Sequence, residues 1–167
     1  MGHGDWSIVE HVNATVDAVV DRGITHEIVR HRLFSFTQES TRFVNYEKKM
    51  PPKFVMPEVF INSALLMDDW KDAIDKIEKA YLGLIRAGVS PQISRSVLPN
   101  ALASRIVMTS NLRNWRHFLI MRTTKESHPQ MRQVTIPLLE EFKSMVPLLF
   151  DDIVPEARQA DNLRLPR

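Results

Sequence analysis

Cysteine is absent from the 167 residues. That absence removes disulfides, thiolate metal sites, iron–sulfur clusters and cysteine nucleophiles together, and it fits a reducing compartment. Glycine is scarce, with five, and there is no glycine-rich phosphate loop or GxGxxG fingerprint. No segment approaches the roughly 20 apolar residues needed to cross a bilayer. Met1-Gly2-His3-Gly4-Asp5 is followed by no apolar stretch of the kind a signal peptide carries. The expectation is a soluble, cytoplasmic protein with no membrane partner. An excess of one charge is missing too: 22 Lys and Arg against 20 Asp and Glu leave +2. That balance argues against a nucleic-acid binder built on Arg30, Arg32, Arg42, Arg113 and Arg116.

What remains is ordinary globular material. Hydrophobic residues at 44% and charged ones at 25% suffice for one packed domain over 1–167. Val12 to Val20 is rich in β-branched residues and reads as a strand. Asp21-Arg22-Gly23 reads as a turn. Thr25 is the expected N-cap of a helix reaching about Phe34. Phe36 to Asn45 reads as extended, and Pro51-Pro52 breaks the chain. Pro57 makes 53–61 an edge strand or an irregular segment. Helical spacing runs from Ala64 to Ala87, with Gly88 as its C′ residue. A short helix is expected over Pro91–Leu98, with Pro91 at N1. Ala101–Thr109 is strand-like, and Leu112–Arg122 and Pro129–Met145 are helical. The tail after Pro155 is polar and expected to fray. Irregular mixing of helices and strands, without βαβ alternation, predicts α+β.

The densest polar constellation is Arg30-His31-Arg32 followed by Phe36 to Phe43. In an extended segment Gln38, Ser40 and Arg42 share one face. An amide, a hydroxyl and a guanidinium in a row can grip a phosphate; the alternative is a solvated strand face. Three potential cations at 30–32 repel unless an anion or a carboxylate such as Glu27 or Glu39 is near. His26-Glu27…His31 superficially suggests a zinc-protease helix. Its histidines are five apart, about 140° round a helix, where four apart, about 40°, is needed. No metal site is expected. On the helix from Leu112, Arg122 falls on the apolar side with Trp115, Phe118 and Leu119. There it either snorkels or points into a pocket and binds an anion. Arg113 and Arg116, three apart, are solvated or reach a neighbouring subunit. An isolated Arg95 takes a salt bridge by default.

Arg30-His31-Arg32, then seven residues, then Ser40, resembles the flavin-dependent thymidylate synthases, whose signature is RHR-x7-S. The similarity continues through Ser40-Thr41-Arg42-Phe43, Asn45-Tyr46, Pro91-Gln92 and Arg95-Ser96-Val97-Leu98-Pro99. It extends to Asn111-Leu112-Arg113, Phe118 to Arg122 and His128-Pro129-Gln130-Met131-Arg132. Upstream, Ser7-Ile8-Val9-Glu10-His11 is similar to the family's Ser/Thr-x-x-Glu-His element. Residues 7 to about 148 are covered.

The resemblance implies methylation of dUMP to dTMP. Methylenetetrahydrofolate gives the carbon, and FAD reduced by NADPH gives the hydride. No enzyme cysteine is needed, unlike in the other class of thymidylate synthase. It implies Ser40 and Arg122 at the reacting centre. Glu27, Gln38, Ser40, Arg42, Arg95 and Arg122 would lie on dUMP. Ser7, Glu10, Arg30, His31, Arg32, Asn111, Arg113, His117 and His128 would lie on FAD. It further implies a twisted, largely antiparallel sheet flanked by helices, and a homotetramer with active sites at subunit interfaces. Two departures stand out. The segment before the Glu-His element is shorter than usual. Gln38 and Phe43 stand where the family often has an acidic residue and Tyr. The alternative expectation, resting on the shorter segment, is a catalytically silent nucleotide-binding relative that has lost tight FAD binding.

Overall fold

A computed structural model describes residues 5–48 and 50–156. His3, and the expected polar tail apart from Glu156, lie outside the described residues. Strands β1 (Asn13–Asp21), β2 (Ser35–Gln38) and β3 (Ala103–Asn111) form one small antiparallel sheet in the order β1-β3-β2. With the helices that flank it, this is the expected α+β architecture. Among the described residues no helix is long and apolar enough to cross a membrane.

The expected turn after β1 does not form. Asp21 Oδ1 accepts the Ile24 N–H at 2.9 Å, making Asp21 the N-cap, so β1 runs directly into α1 (Arg22–Ile28). Thr25 is buried inside that helix and donates its hydroxyl to the Arg22 carbonyl at 2.9 Å. The helix stops at Val29 rather than near Phe34. Beyond it a turn closes from the Phe34 N–H to the His31 carbonyl at 3.1 Å. That turn presents Phe34 edge-on to Trp115, with ring centroids 4.8 Å apart. Aromatic packing outweighs helical continuation there.

The later elements follow the sequence more closely. A helical turn α2 (Glu58–Ile61) begins after Pro57, and Phe54 bridges Leu102 in isolation. The long helix α3 (Ala64–Arg86) buries Ile74 and Tyr81 and is capped at Ala87. Gly88 at φ +86° then lets the N–H groups of Gly88 and Val89 reach the carbonyls of Ile85 and Leu84, both at 3.0 Å. The expected helix at 91–98 divides into α4 (Pro91–Ser94), with Pro91 in its first turn, and a 3-10 turn at Arg95–Val97. Helices α5 (Leu112–Arg122) and α6 (Pro129–Met145) have the expected bounds. Sequence reading missed a 3-10 turn at Trp6–His11 and the short α7 (Pro147–Phe150).

The chain divides into two compact units. The first takes its described residues from 5–16, 31–35 and 109–156. Its core is aromatic: Trp115, Phe118, Phe142 and Phe150 are fully buried, and the Trp115 indole N–H donates to the Ala14 carbonyl at 3.0 Å. The second takes its described residues from 17–30, 36–48 and 50–108. It is centred on Tyr46, Tyr81 and Leu102, with Phe54, Leu82 and Leu98 packed around them. Burial pushes the Tyr46 phenol up to about 12, which makes this tyrosine a neutral core group.

Candidate functional site

In the second unit the local backbone decides what the polar motif can do. Strand β2 ends at Gln38. The N–H groups of Phe43 and Val44 both reach back to the Ser40 carbonyl at 3.2 Å, so 41–43 is a turn. The single face expected for Gln38, Ser40 and Arg42 therefore does not exist; the strand's alternation ends two residues too early. Ser40 Oγ accepts the Arg42 N–H at 3.3 Å. Among the described residues no base hydrogen-bonds Ser40, which suits a group that orients a ligand rather than attacks one. Arg42 is exposed and lies 5.4 Å from the Phe43 ring centroid.

Gln38 is occupied differently. Its amide nitrogen donates to Thr25 Oγ1 at 2.8 Å and to Ser104 Oγ at 3.2 Å. Since Thr25 spends its own proton on the Arg22 carbonyl, it needs a donor beside it, and an amide supplies one. Glu27 sits half-buried on α1.

Among the described residues Arg95 has no salt bridge of the kind expected by default. Its guanidinium donates to Thr41 Oγ1 at 3.1 Å, and together they line a cavity of about 410 Å³. Arg22, Gln92, Ser96 and Leu98 complete the wall. Two guanidiniums, an amide and two hydroxyls with no carboxylate make an anion seat. Sequence reading gives Arg22 no part in a site, and it meets Thr41, Gln92 and Ser96 only as parts of the family similarity, with no role. The usable signal is that Arg22 directly follows Asp21, which caps a helix where the letters suggest a turn.

The first unit groups its polar residues in pairs. Ser7 and Glu10 are exposed on the Trp6–His11 turn, and Glu10 carries an ion pair from Arg113. Arg116 makes a two-pronged pair with Asp152, both contacts at 2.6 Å, and its guanidinium lies 5.1 Å from the Trp6 ring centroid. Arg113 and Arg116 are thus engaged within the chain. Two expected flavin residues hold helix ends: Asn111 Oδ1 accepts the Asn114 N–H at 2.9 Å, and His128 Nδ1 accepts the Gln130 N–H at 3.2 Å. Each keeps a further polar atom for a ligand.

Arg122 Nε donates to His31 Nε2 at 2.9 Å, answering why a guanidinium sits on the apolar side of α5. Burial foremost, then the positive charges of Arg122 and His117, lowers His31 to about 4. The ring is neutral at pH 7, so the basic triplet carries two cations and not three. His117 is exposed on α5. Arg30, in the second unit, and Arg32, in the first, are exposed with no ion-pair partner among the described residues.

Comparison with known proteins gives these groups a context. The family model described as thymidylate synthase complementing protein matches residues 1–148. A flavin-dependent thymidylate synthase of Corynebacterium efficiens is 37% identical over 166 residues, covering 92% of this chain and 66% of the relative. One from Corynebacterium aurimucosum is 36% identical, covering 89% and 65%. One from Pyrococcus abyssi is 35% identical over 144 residues, covering 85% and 59%. The chain spans somewhat under two thirds of the length of these curated relatives.

Proposed function

The chain belongs to the thymidylate synthase complementing protein family, and from that premise we propose that it is a flavin-dependent thymidylate synthase. It methylates dUMP to dTMP in the cytoplasm, taking carbon from methylenetetrahydrofolate and reducing equivalents from NADPH. Residues 1–167 act as one functional domain. The observation that carries this reading is the family match over 1–148, which contains every one of the expected site residues, from Ser7 to His128.

The chemistry of the side chains supports the assignment. In the cavity, Arg95 is held by Thr41 and would take the nucleotide phosphate with Arg42. Ser40, Gln38 and Glu27 would orient the nucleotide. Arg122 would face the uracil oxygens, where a guanidinium stabilises the negative charge that builds as C5 becomes nucleophilic. Ser40 and Arg122 are the proposed catalytic residues.

The donor set also fits a dinucleotide cofactor. Arg30 and Arg32 are exposed guanidiniums without counter-charges among the described residues, and a pyrophosphate matches guanidinium pairs. Ser7, Glu10, His31, Asn111, Arg113, His117 and His128 would complete the FAD site. When bound, the flavin supplies the hydride chemistry that no side chain provides. We further propose a homotetramer whose active sites lie at subunit interfaces, which lets a small chain assemble sites for three ligands.

The test is the visible spectrum of the purified protein before and after FAD, followed by dUMP. A flavin band perturbed by dUMP is expected. Binding of dUMP with no flavin retained even after FAD is added would replace the enzyme by a silent nucleotide-binding relative.

A further inference from the structure

Among the described residues, four arginines are held by carboxylates: Arg113 by Glu10, Arg116 by Asp152, Arg105 by Asp17 and Arg86 by Glu47. Each such partner adds a counter-charge. The Arg122 Nε donates to an imidazole nitrogen, His31 Nε2, at 2.9 Å. The ring that accepts is itself fixed. It stands edge-on to Phe118 with centroids 4.8 Å apart, and to Phe34 at 6.3 Å. The backbone behind Arg122 is pinned as well, since Thr135 Oγ1 donates to the Arg122 carbonyl at 2.8 Å.

Resting on the reading of Arg122 as the group that faces uracil, we infer that His31 is a positioning residue for the nucleotide, its Nε2 lone pair setting the plane of the Arg122 guanidinium. The residue of the motif expected to serve the flavin then serves the substrate too. A lone pair on a neutral ring orients a guanidinium without adding negative charge beside it. The geometry also fixes the tautomer: Nε2 accepts, so the proton is on Nδ1.

A double-mutant cycle tests this. Calorimetry of dUMP binding would compare the full-length protein with His31→Phe, Arg122→Ala and the double variant, flavin content being measured in the same samples. Phenylalanine keeps the ring packing and deletes the acceptor. His31→Phe is expected to weaken dUMP about tenfold, in the range for a hydrogen bond to a charged group. In the Arg122→Ala background it should change nothing further, and His31→Gln, which keeps an acceptor at that reach, should restore most of the affinity. Additive losses would overturn the inference while leaving the dUMP-binding enzyme intact, and so would loss of flavin with dUMP affinity unchanged. A folded wild-type protein that binds no dUMP would overturn the functional reading and this inference with it. Should His31→Phe not fold, imidazole nitrogen shifts of the wild-type protein decide. The Nδ1–H tautomer is expected at pH 7, and either the Nε2–H tautomer or an imidazolium refutes the geometry.

Discussion

The surface ion pairs of the first unit and the cavity of the second handle positive charge in opposite ways. In the first, Arg113 and Arg116 are matched with Glu10 and Asp152, and the interior beneath is aromatic. In the second, Arg22 and Arg95 line one cavity whose six lining residues include no acid. Arg95 is steadied by the hydroxyl of buried Thr41. Matched cations hold a fold's surface together. Cations left unmatched in a cavity repel each other until an anion arrives. The contrast assigns stability to the first arrangement and ligand binding to the second, and each assignment can be broken separately.

The largest effect is expected from emptying the aromatic core. Trp115 is fully buried, tilted at 5.2 Å against Phe142 and edge-on at 5.7 Å to Phe118. Trp115→Ala should cost about 3–5 kcal/mol of stability, the usual penalty for deleting a buried tryptophan, read by denaturant unfolding. A cost below about 1 kcal/mol would show that the first unit does not carry stability as argued. Next comes Arg95→Ala. It should weaken dUMP by about ten- to a hundredfold, the scale of a charge-assisted contact, while the melting temperature stays near that of the wild type. Equal losses of stability and affinity would erase the distinction between the units.

Much of this contrast was legible before any coordinates. Helices α5 and α6 and the Gly88 terminus of α3 were readable because periodicity, a proline at the start and a left-handed glycine are local signals. The family motif named the arginines. The cavity was not legible, because Arg22 looked like part of a turn. Only the capping bond from the Ile24 N–H to Asp21 turns that residue into the start of a helix. Nor could the shared face of Gln38, Ser40 and Arg42 be refused from sequence. The alternation is real in the letters, and it fails because two N–H groups fold back onto the Ser40 carbonyl. The neutrality of His31 depends on burial and on charges brought from α5, which no local pattern encodes.

A smaller effect separates the units by pH. His31 falls from 6.5 to about 4 in the folded protein, so between those values the unfolded chain binds more protons. Stability is therefore full above about 6.5 and declines as pH drops toward 4. Asp17 and Asp152 are held below the usual 3.8 by their arginines, and their contribution is lost only at lower pH. Hydrogen exchange should show protection falling in α5 before α3 as pH is lowered from 6.5 to 4, and His31→Phe should remove that early loss. Parallel loss in both helices would mean that His31 does not set the first unit's acid sensitivity.

The smallest change sharpens the second unit alone. Gln38→Glu installs the acidic residue that the family resemblance leads one to expect, and it removes the amide donor that Thr25 Oγ1 receives. Thr25 is fully buried, with its own proton committed to the Arg22 carbonyl. A carboxylate would set two acceptors face to face unless Thr25 abandons that bond; Ser104 can adapt by rotating its hydroxyl. The expected cost is about 1 kcal/mol at neutral pH, shrinking as acidification protonates the new carboxyl and restores a donor. A stabilising or pH-independent substitution would show that the amide is not what this network requires. It would leave the departure at Gln38 to be explained by the ligand rather than by the fold.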